Sequence, residues 1–300
     1  MKLYAPSTIR ELQARHGFRQ SKGLGQNFLA DQHMIARIME LSLITKEDFV
    51  IEIGPGMGAL TGSAARRAKK VAAIELDNRL IPVLEETLEE YSNVQIIRGD
   101  ILKTDLKKLI EENGDPAGVK IIGNLPYYIT TPILMKLLED GVPADSITIM
   151  VQKEVAQRMK AGPGSKAYGA LSVAVQYYCR VGPLVPAPKE VFVPVPKVDS
   201  AVLRLDLRKE KPAGLLDEGM FFACVKAGFG QRRKTLANSL TGVKGLSKEA
   251  IRSILQEAGI DPGRRAETLS IEEFSKIANQ ITAGKAGTAG EESGKREELL

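Results

Sequence analysis

The residues best suited to chemistry in this chain form one short segment, Asn124-Leu125-Pro126-Tyr127, which directly follows the apolar run Ile121–Gly123. An amide side chain supplies a hydrogen-bond acceptor, a proline stiffens the backbone, and an aromatic ring stacks on flat heterocycles. Together these residue types suit the binding of a nucleobase that carries an exocyclic amine. The segment is short, and its significance depends on a glycine-rich turn earlier in the chain.

The glycine-rich turn is Gly54-Pro55-Gly56-Met57-Gly58, and it follows an apolar strand predicted over Phe49–Ile53. Glycines let the backbone approach a ligand closely, and the N-terminus of the following helix presents N–H donors. The spacing G-x-G-x-G differs from the dinucleotide fingerprint G-x-G-x-x-G. The turn alone is therefore equally consistent with a tight strand–helix connection that binds nothing.

Two acidic residues at the ends of the next two predicted strands favour a ligand at this turn. Glu75 ends the strand that begins at Lys70, where a carboxylate can accept hydrogen bonds from both hydroxyls of a ribose. Asp100 follows the strand Val94–Arg98 and can accept from an adenine amino group, although its position also suits a helix N-cap. These positions predict an adenosine-containing cofactor across the strand ends, and both NAD and S-adenosylmethionine satisfy the pattern.

The fourth predicted strand, Lys120–Gly123, distinguishes the two cofactors. A dehydrogenase usually needs an acid–base residue beside its hydride-transfer pocket, and the only two histidines, His16 and His33, precede the first strand. The strand leads instead into Asn124–Tyr127. The sequence therefore favours S-adenosylmethionine and methyl transfer.

The chemistry of adenine accounts for the residue types in Asn124–Tyr127. The N6 amine is a poor nucleophile because its lone pair is delocalised into the ring. Acceptors for the amine protons, namely the Asn124 side chain and the Leu125 carbonyl, favour localisation of that lone pair as it attacks a sulfonium methyl. Tyr127 holds the ring by stacking. Because the methyl donor is already activated, positioning and local electrostatics do most of the work, and no covalent enzyme intermediate is required.

Strands that alternate with helices through short loops predict an α/β domain with a parallel sheet covered on both faces. Ser200–Asp206 alternates as a late, antiparallel strand, and the charged, Pro- and Gly-containing stretch Arg208–Gly214 reads as a linker. Helical periodicity follows it. The predicted organisation is a cofactor-binding domain over residues 1–208, a small helical domain over 212–282 and a disordered tail over 283–300.

Composition restricts the partners, metal sites, disulfides and cellular location that the sequence allows. The chain has 300 residues and a net charge of +5, which weakly favours a polyanionic partner. Cys179 and Cys224 lack CxxC spacing, and two histidines cannot complete a common zinc pattern, so neither a metal site nor a disulfide is predicted. The chain shows neither a signal peptide nor an uncharged run of about 18 residues. We therefore expect a cytoplasmic protein without a membrane span.

The sequence closely resembles the ribosomal RNA adenine N6,N6-dimethyltransferases over about residues 10–282. The resemblance rests on five blocks in the family's order: Lys22–Leu29, Glu52–Gly58, Asn124–Tyr127, Val191–Val202 and Phe229–Leu236. It implies a Rossmann-like class I methyltransferase domain followed by a small all-helical C-terminal domain, with S-adenosylmethionine as methyl donor and no metal. The implied substrate is a pair of adjacent adenines in the 3′-terminal hairpin of small-subunit (16S) rRNA. Their dimethylation by a monomeric enzyme would take place within the 30S particle, late in ribosome assembly.

The same resemblance implies roles for individual residues. The cofactor-binding set is Asn27, Leu29, Gly54, Gly56, Glu75, Asp100 and Asn124. The catalytic set is Asn124, Leu125, Pro126, Tyr127 and Phe192, in which Phe192 opposes Tyr127 and sandwiches a flipped adenine; a plain core position is the competing interpretation of Phe192. The RNA-binding set is Lys22, Arg232, Arg233 and Lys234, with Arg264 and Arg265 as weaker candidates. Tyr128 stands where other members have Asn, so its contacts stay open.

Two alternatives remain at this point. One is the large-subunit (23S) rRNA adenine dimethyltransferase that confers macrolide resistance, which shares fold and cofactor; Pro196–Val202 and Phe229–Leu236 look more like the small-subunit branch. The other is a non-catalytic ribosome-assembly binding factor. The presence of Glu75, Asp100 and Asn124 argues against a site that has lost its activity.

Overall fold

The computed structural model describes residues 1–21, 23–114, 116–210, 212 and 214–294, with side chains as far as residue 284. The chain divides into two compact units. The first combines Met1–Ala156 with Cys179–Leu207, and the second combines Gln157–Tyr178 with the chain from Arg208 onward. The sequence predicts a boundary at residue 208, and the structure has one there. It also assigns Gln157–Tyr178 to the second unit, whereas the sequence places that segment in the first domain.

The first unit is built on a seven-stranded sheet with the order β4-β3-β2-β5-β6-β9-β7. A separate two-stranded sheet pairs β1 with β8. The strands are β1 (Phe28–Leu29), β2 (Asp48–Ile53), β3 (Lys70–Glu75), β4 (Val94–Arg98), β5 (Gly118–Asn124), β6 (Ser146–Gln152), β7 (Cys179–Ala187), β8 (Phe192–Val193) and β9 (Ser200–Leu207). Strands β2 to β6 run parallel, and β9 pairs antiparallel with both β6 and β7. The predicted parallel sheet with a late antiparallel strand is therefore confirmed.

Helices connect these strands and make up most of the second unit. They are α1 (Pro6–Arg15), α2 (Gln32–Ser42), α3 (Ala59–Ala65), α4 (Ile81–Leu88), α5 (Leu106–Glu111), α6 (Thr130–Glu139), α7 (Lys153–Lys160), α8 (Ala170–Tyr178), α9 (Glu218–Gly230), α10 (Leu236–Ser239), α11 (Lys248–Glu257) and α12 (Ile271–Gly294). Short 3-10 turns cover Lys189–Val191, Val243–Gly245 and Ala266–Thr268. The division between the units falls within α7.

Strand register determines where functional side chains meet. Ile53 at the end of β2 lies opposite Ile74 of β3 and opposite Gly123 of β5, so the carboxyl ends of the three strands share one edge. Gly123 permits this close pairing, because a Cβ at that position would lie 2.8 Å from the Ile53 carbonyl oxygen. All six residues of β2 are buried, as expected for a parallel strand covered on both faces.

The second unit has its own apolar core. Side chains of α8, α9, α11 and α12 cluster there, including Tyr177, Phe221, Leu255 and Phe274. Because Tyr177 belongs to this cluster, packing explains why the segment before β7 joins the helical unit. Ser270 and Glu273 form a capping box at the start of α12: the Glu273 carboxylate accepts from the Ser270 N–H, and Ser270 Oγ accepts from the Glu273 N–H.

Helix α12 extends into the tail that the sequence predicts to be disordered. It continues through residue 283, where the predicted disorder begins, and ends at Gly294. Four of the twelve residues over 283–294 are glycine, so intrinsic helix propensity does not account for this extension, and disorder of the tail stays a prediction. The rest of the predicted tail, residues 295–300, lies outside the described residues.

Within the described ranges, no helix is both long and apolar enough to cross a membrane. The same residues contain no group of three or more His, Cys, Asp or Glu side chains placed to hold a metal ion.

Candidate active site

A cleft of about 1150 Å³, partly open to solvent, lies at the shared edge of β2, β3 and β5. Its lining combines the glycine-rich turn, the residues that follow β3 and β4, and the segment Asn124–Ile129 after β5. The segment Gly23–Leu29, called here the N-terminal strap, supplies a further wall through its residues from Leu24 onward. The residues predicted from the glycine turn, from the strand ends and from Asn124–Tyr127 therefore meet in one cavity.

The glycine-rich turn is shaped by backbone angles that favour glycine. Gly54 and Gly56 have φ values of +69° and +60°. A Cβ on Gly56 would lie 3.1 Å from the Phe28 ring, so the strap packs closely against the turn. No atom lies within 4 Å of the place where a Gly54 Cβ would stand. The backbone here is consequently open to a ligand in the cleft.

Glu75 presents its carboxylate from the end of β3 and is 6% exposed. Oε1 accepts from the Asp77 backbone N–H at 2.8 Å, and Oε2 accepts from the Gly56 N–H at 3.3 Å. Burial raises the pKa of Glu75, and these backbone hydrogen bonds oppose the rise. The carboxylate is held rigidly beside the glycine turn, which fits the ribose of an adenosine-containing cofactor.

Asp100 lines the same cleft just beyond β4. Its Oδ1 accepts from the Leu102 N–H at 3.0 Å, and its backbone carbonyl accepts from the Thr104 hydroxyl at 2.9 Å. This contact closes a local turn and is not a helix cap, because the N-cap of α5 is Asp105. Asp100 still borders the cavity. The neighbouring Ile101 is 8% exposed and contributes an apolar wall, which suits the flat face of an adenine.

Glu52 is a buried carboxyl group beneath the glycine turn, and its Oε2 has no hydrogen-bond partner among the described residues. Burial raises its pKa to about 8; the neighbouring Thr61 acts in the opposite direction, and the charge of Glu75 raises the value further. Glu52 also lines the cleft. An unpartnered polar atom in a residue that lines a cavity can pair with a polar group of a ligand.

The Asn124 amide has a defined orientation. Its Nδ2 donates to the Asn27 carbonyl oxygen at 3.0 Å, across 97 residues of sequence, which leaves Oδ1 as the free acceptor on the other side of the amide. The next residue is anchored as well, because the Leu125 N–H donates to the Met150 carbonyl at 3.1 Å. Two acceptors, the Asn124 side chain and the Leu125 carbonyl, are thus held at the end of β5.

Tyr127 is held at the cleft by a hydrogen bond between its hydroxyl and Ser200 Oγ, at 2.8 Å. Burial raises its pKa, while the Ser200 hydrogen bond opposes that rise, so the phenol stays neutral at pH 7. Pro126 turns the chain into α6, and its carbonyl accepts from the Thr130 hydroxyl at 3.0 Å. The ring is thereby positioned for stacking.

The N-terminal strap is tied to β3 through Gln26. Its Oε1 accepts from the Ser21 N–H at 2.8 Å, and its Nε2 donates to Asp77 Oδ2 at 2.8 Å. Asp77 also pairs with Arg79 at 2.6 Å. Hydrogen bonding from Arg79 lowers the pKa of Asp77 to about 2 against the effect of burial, and Gln26 assists. Gln26 therefore holds the backbone that presents Asn27 to Asn124.

Phe192 does not occupy the predicted position opposite Tyr127. The ring is 1% exposed, belongs to an apolar cluster with Met34 and Val202, and does not line the cleft. Its residue pairs with Leu29 in the small β1–β8 sheet, and this pairing places the ring in the core. The competing interpretation, a core phenylalanine, describes this structure. Leu29 itself is 5% exposed and does line the cleft.

The predicted RNA-binding residues have different surroundings. Lys22 lies outside the described residues. Arg232 donates to the Lys166 and Tyr168 carbonyls at 3.1 Å each, so its guanidinium is engaged within its own unit. Arg264 is similarly occupied by Glu273 and Thr268. Arg232, Arg233, Lys234 and Arg265 are exposed, whereas Arg264 is only partly exposed.

Sequence reasoning missed several residues that the structure places at the site. They are Gln26, Asp77 and Ser200. The Gln26–Asp77 hydrogen bond joins residues 51 apart in sequence, and the Tyr127–Ser200 hydrogen bond joins residues 73 apart. Local sequence patterns do not reveal such contacts. Glu52 did carry a signal, because it is an acid within an otherwise apolar predicted strand.

Comparison with known proteins gives consistent matches. The family described as "Ribosomal RNA adenine dimethylase" matches residues 17–283. The chain is 50% identical over 280 residues to "Ribosomal RNA small subunit methyltransferase A" of Clostridioides difficile (strain 630), covering 93% of this chain and 97% of that protein. It is also 50% identical over 281 residues to the protein of the same name from Alkaliphilus oremlandii (strain OhILAs), covering 93% and 98%.

Two solved structures share the fold. A dimethyladenosine transferase from Plasmodium falciparum aligns with a TM-score of 0.71 and 26% identity, covering 82% of this chain and 94% of that one. The 23S rRNA methyltransferase ErmE aligns with a TM-score of 0.64 and 27% identity, covering 85% and 100%. The predicted class I methyltransferase fold is therefore confirmed.

Proposed function

The chain belongs to the ribosomal RNA adenine dimethylase family, and from this premise we propose that it dimethylates the N6 amines of two adjacent adenines in the 3′-terminal hairpin of small-subunit rRNA. Half of its residues are identical to those of relatives named for the small subunit, over more than nine-tenths of the chain. The methyl donor in this proposal is S-adenosylmethionine, and no metal takes part.

One observation carries the chemical side of the proposal. The hydrogen bond from Asn124 Nδ2 to the Asn27 carbonyl leaves Oδ1 as an acceptor in the cavity that Glu75 and the glycine turn also line. An amine donor and a nucleoside cofactor can thus be held in the same cleft.

S-adenosylmethionine, when bound, supplies a methyl group on a positively charged sulfonium. The residues that would hold it are Asn27, Leu29, Gly54, Gly56, Glu75, Asp100 and Asn124, all of which line the cleft. Glu75 would accept hydrogen bonds from the ribose and Asp100 from the adenine amine. The unpartnered Oε2 of Glu52 would accept from an N–H group of the methionine portion.

The substrate side works through positioned acceptors. Asn124 Oδ1 and the Leu125 carbonyl oxygen accept hydrogen bonds from the two N–H groups of the adenine N6 amine, and this favours localisation of its lone pair on nitrogen. Tyr127 stacks on the base and keeps its plane fixed relative to the acceptors. Proximity and fixed local dipoles lower the barrier, because these groups need no reorganisation as charge shifts. Burial of the cleft walls limits competing hydrogen bonds from water.

The partner in this proposal is the 30S particle rather than free RNA, and the enzyme acts as a monomer in the cytoplasm, late in assembly. Exposed Arg233 and Lys234 would contact RNA phosphates. Arg232 would serve indirectly, because its bonds to the Lys166 and Tyr168 carbonyls hold the neighbouring loop in place.

Methyl transfer from tritiated S-adenosylmethionine tests the proposal. The full chain is incubated with unmethylated small subunits or with large-subunit RNA, and digested RNA is analysed for N6-methylated adenosines. We expect N6,N6-dimethyladenosine in small-subunit RNA only. Label confined to large-subunit RNA would instead favour methylation of 23S rRNA, the activity named for the structurally similar ErmE.

An Asn124→Ala variant separates an enzyme from a binding factor. It removes one acceptor for the amine, and loss of a single preorganised group of this kind typically costs about 100- to 1000-fold in turnover. We expect methyl incorporation to fall by that factor, while small-subunit binding measured by sedimentation stays unchanged. Wild-type protein that binds subunits tightly but incorporates no methyl groups would contradict the enzymatic proposal.

A further inference from the structure

Tyr128 is the exposed aromatic residue at the mouth of the cleft. Seven large apolar side chains are exposed among the described residues, and of these only Leu76 and Tyr128 line the cleft. Tyr128 is 57% exposed and its neighbour Leu125 only 1%. The inner wall is thus closed to water, while the Tyr128 ring stands where the cavity opens.

Leu76 and Tyr128 belong to different parts of the cleft. Leu76 follows Glu75 at the end of β3, and Tyr128 follows Tyr127 beyond the end of β5. These two strands flank β2 on opposite sides. Leu76 therefore borders the end of the cleft proposed for the cofactor, and Tyr128 borders the end proposed for the substrate base.

The Tyr128 ring is supported from behind. A Cβ on Gly25 would lie 3.3 Å from Tyr128 Cδ1 and 3.4 Å from Cε1, so the strap backbone packs directly against one part of the ring. Pro126 lies at the same place, with its Cβ 3.6 Å from the Gly25 Cβ position. Because Gln26, the next strap residue, is bonded to Asp77, this support is itself anchored to β3.

Tyr127 and Tyr128 differ in what engages them. Tyr127 is partly buried and bonded to Ser200, whereas Tyr128 makes no hydrogen bond with any residue that the structure describes. An exposed aromatic ring that is held by packing on one side and makes no intramolecular hydrogen bond is suited to base stacking, because little side-chain entropy is lost when a ligand covers it.

We propose that Tyr128 is a stacking subsite for the nucleobase next to the adenine that reacts. The inference rests on the proposed function, in which the substrate is RNA with two adjacent adenines. While Tyr127 contacts the reacting base inside the cleft, Tyr128 holds the neighbouring base at its mouth. Tyr128 therefore strengthens binding of the RNA strand and makes no contribution to binding of the cofactor.

The test uses the full chain, unmethylated small subunits and tritiated S-adenosylmethionine. Base stacking on an aromatic residue corresponds to a change of about 5- to 150-fold on alanine substitution. We expect Tyr128→Ala to raise KM for the subunits by a factor in this range and to leave the dissociation constant for S-adenosylmethionine, measured by calorimetry, unchanged. Tyr128→Phe keeps the ring and should stay within about twofold of wild type.

Two further variants make the result specific to stacking. Tyr128→Leu keeps an apolar side chain without a π face and should resemble Tyr128→Ala. Leu43→Ala removes another exposed apolar side chain, 61% exposed and outside the cleft lining, and should behave as wild type.

Three results would overturn the inference: an unchanged KM in Tyr128→Ala, wild-type behaviour of Tyr128→Leu, or an equal loss of cofactor affinity. Failure of the proposed function looks different. In that case the wild-type protein itself does not methylate small subunits, and sedimentation still reports whether Tyr128→Ala weakens their binding. Unchanged binding in that assay would overturn the stacking subsite as well.

Discussion

The two ends of the cleft are built in different ways. At the end formed by β2 and β3, Glu75 is bonded to backbone N–H groups of Gly56 and Asp77, 19 and 2 residues away. At the end formed by β5, Asn124 is bonded to a carbonyl 97 residues away, and Tyr127 to a hydroxyl 73 residues away. The first end is a local strand–turn–helix unit, and the second is assembled from distant parts of the chain.

This difference has a functional consequence. A rigid backbone cradle suits the ribose of a nucleoside cofactor, whose hydroxyls need acceptors in fixed positions. The base acceptor must be aimed more finely, because the amide orientation of Asn124 decides whether oxygen or nitrogen faces the amine. The strap contributes that orientation through the Asn27 carbonyl. In the proposed function, the same strap therefore serves both the cofactor and the amide that faces the base.

The largest expected effect concerns Glu52, at the cofactor end. Its folded-state pKa of about 8 lies above the ordinary value of 4.5, so the folded protein holds a proton that the unfolded chain releases between these values. The contribution of Glu52 to the free energy of unfolding should therefore be highest at or below pH 4.5. It should fall as the pH rises and level off above pH 8. The total contribution is up to about 5 kcal/mol.

Urea unfolding of the cofactor-free protein at several pH values measures this effect. In Glu52→Gln, the part of the pH dependence of unfolding that comes from Glu52 should disappear. The free energy of unfolding of this variant, relative to wild type, should therefore rise from pH 5 to pH 8, the window between the two pKa values. Glu47→Gln, which changes an exposed acid just before β2, is the matched control. If the free energies of unfolding of wild type and Glu52→Gln changed with pH in parallel, the buried Glu52 carboxyl would not be the cause of the pH dependence.

Glu75→Gln should weaken the cofactor end selectively. The variant keeps one acceptor oxygen but loses the charge, and a hydrogen bond to a charged group contributes about 1.5–3 kcal/mol, which corresponds to roughly 10- to 150-fold in affinity. Calorimetry with S-adenosylmethionine measures this loss of affinity. The control is Glu85→Gln, which changes an exposed acid of α4. If small-subunit binding fell equally, the two ends would not be separable as described.

Tyr127 tests the substrate end. Tyr127→Ala removes the stacking face and should lower kcat/KM for small subunits by about 5- to 150-fold. Tyr127→Phe keeps the face and loses only the bond to Ser200, so its loss should be smaller, about 2- to 10-fold. Steady-state kinetics at saturating cofactor distinguish them. Equal losses in both variants would mean that the hydroxyl, rather than the ring, carries the effect.

The smallest expected effect comes from Gln26, which links the two ends through the strap. Gln26→Ala removes its bonds to Ser21 and Asp77 and should lower kcat by about 3- to 10-fold, since Asn124 loses part of the support for its orientation. KM for the subunits should change little. Gln26→Glu places a second carboxylate beside Asp77 and should lower kcat further.

Gln95→Ala on β4 is the matched control for Gln26, because this glutamine is exposed. Rapid-quench measurement of the methyl-transfer step shows whether the loss lies in chemistry. A change in KM for the subunits without a change in kcat would contradict a positioning role.

Much of the fold was accessible from the sequence because its signals are local. Apolar strands separated by helices predict a parallel sheet, and the parallel pairing of β2 with β3 and β5 confirms it. The first two helices, α1 and α2, were not predicted. Phe192 shows the opposite case: a likeness to a family indicated a base contact, and packing in the small β1–β8 sheet placed the ring in the core.

By itself, the sequence predicted an adenosine-containing ligand at the cofactor end, since a glycine turn and two strand-end acids act through backbone geometry that a few neighbouring residues dictate. It also predicted, from residue types alone, that Asn124–Tyr127 face the base, and this stays a prediction. Only the tertiary structure decided how Asn124 is oriented, what holds Tyr127, why Phe192 is buried and where Tyr128 is exposed. The physical reason is that each of these depends on a contact between residues far apart in sequence, and such contacts form only when the packed sheet brings the strap, β5 and β9 together.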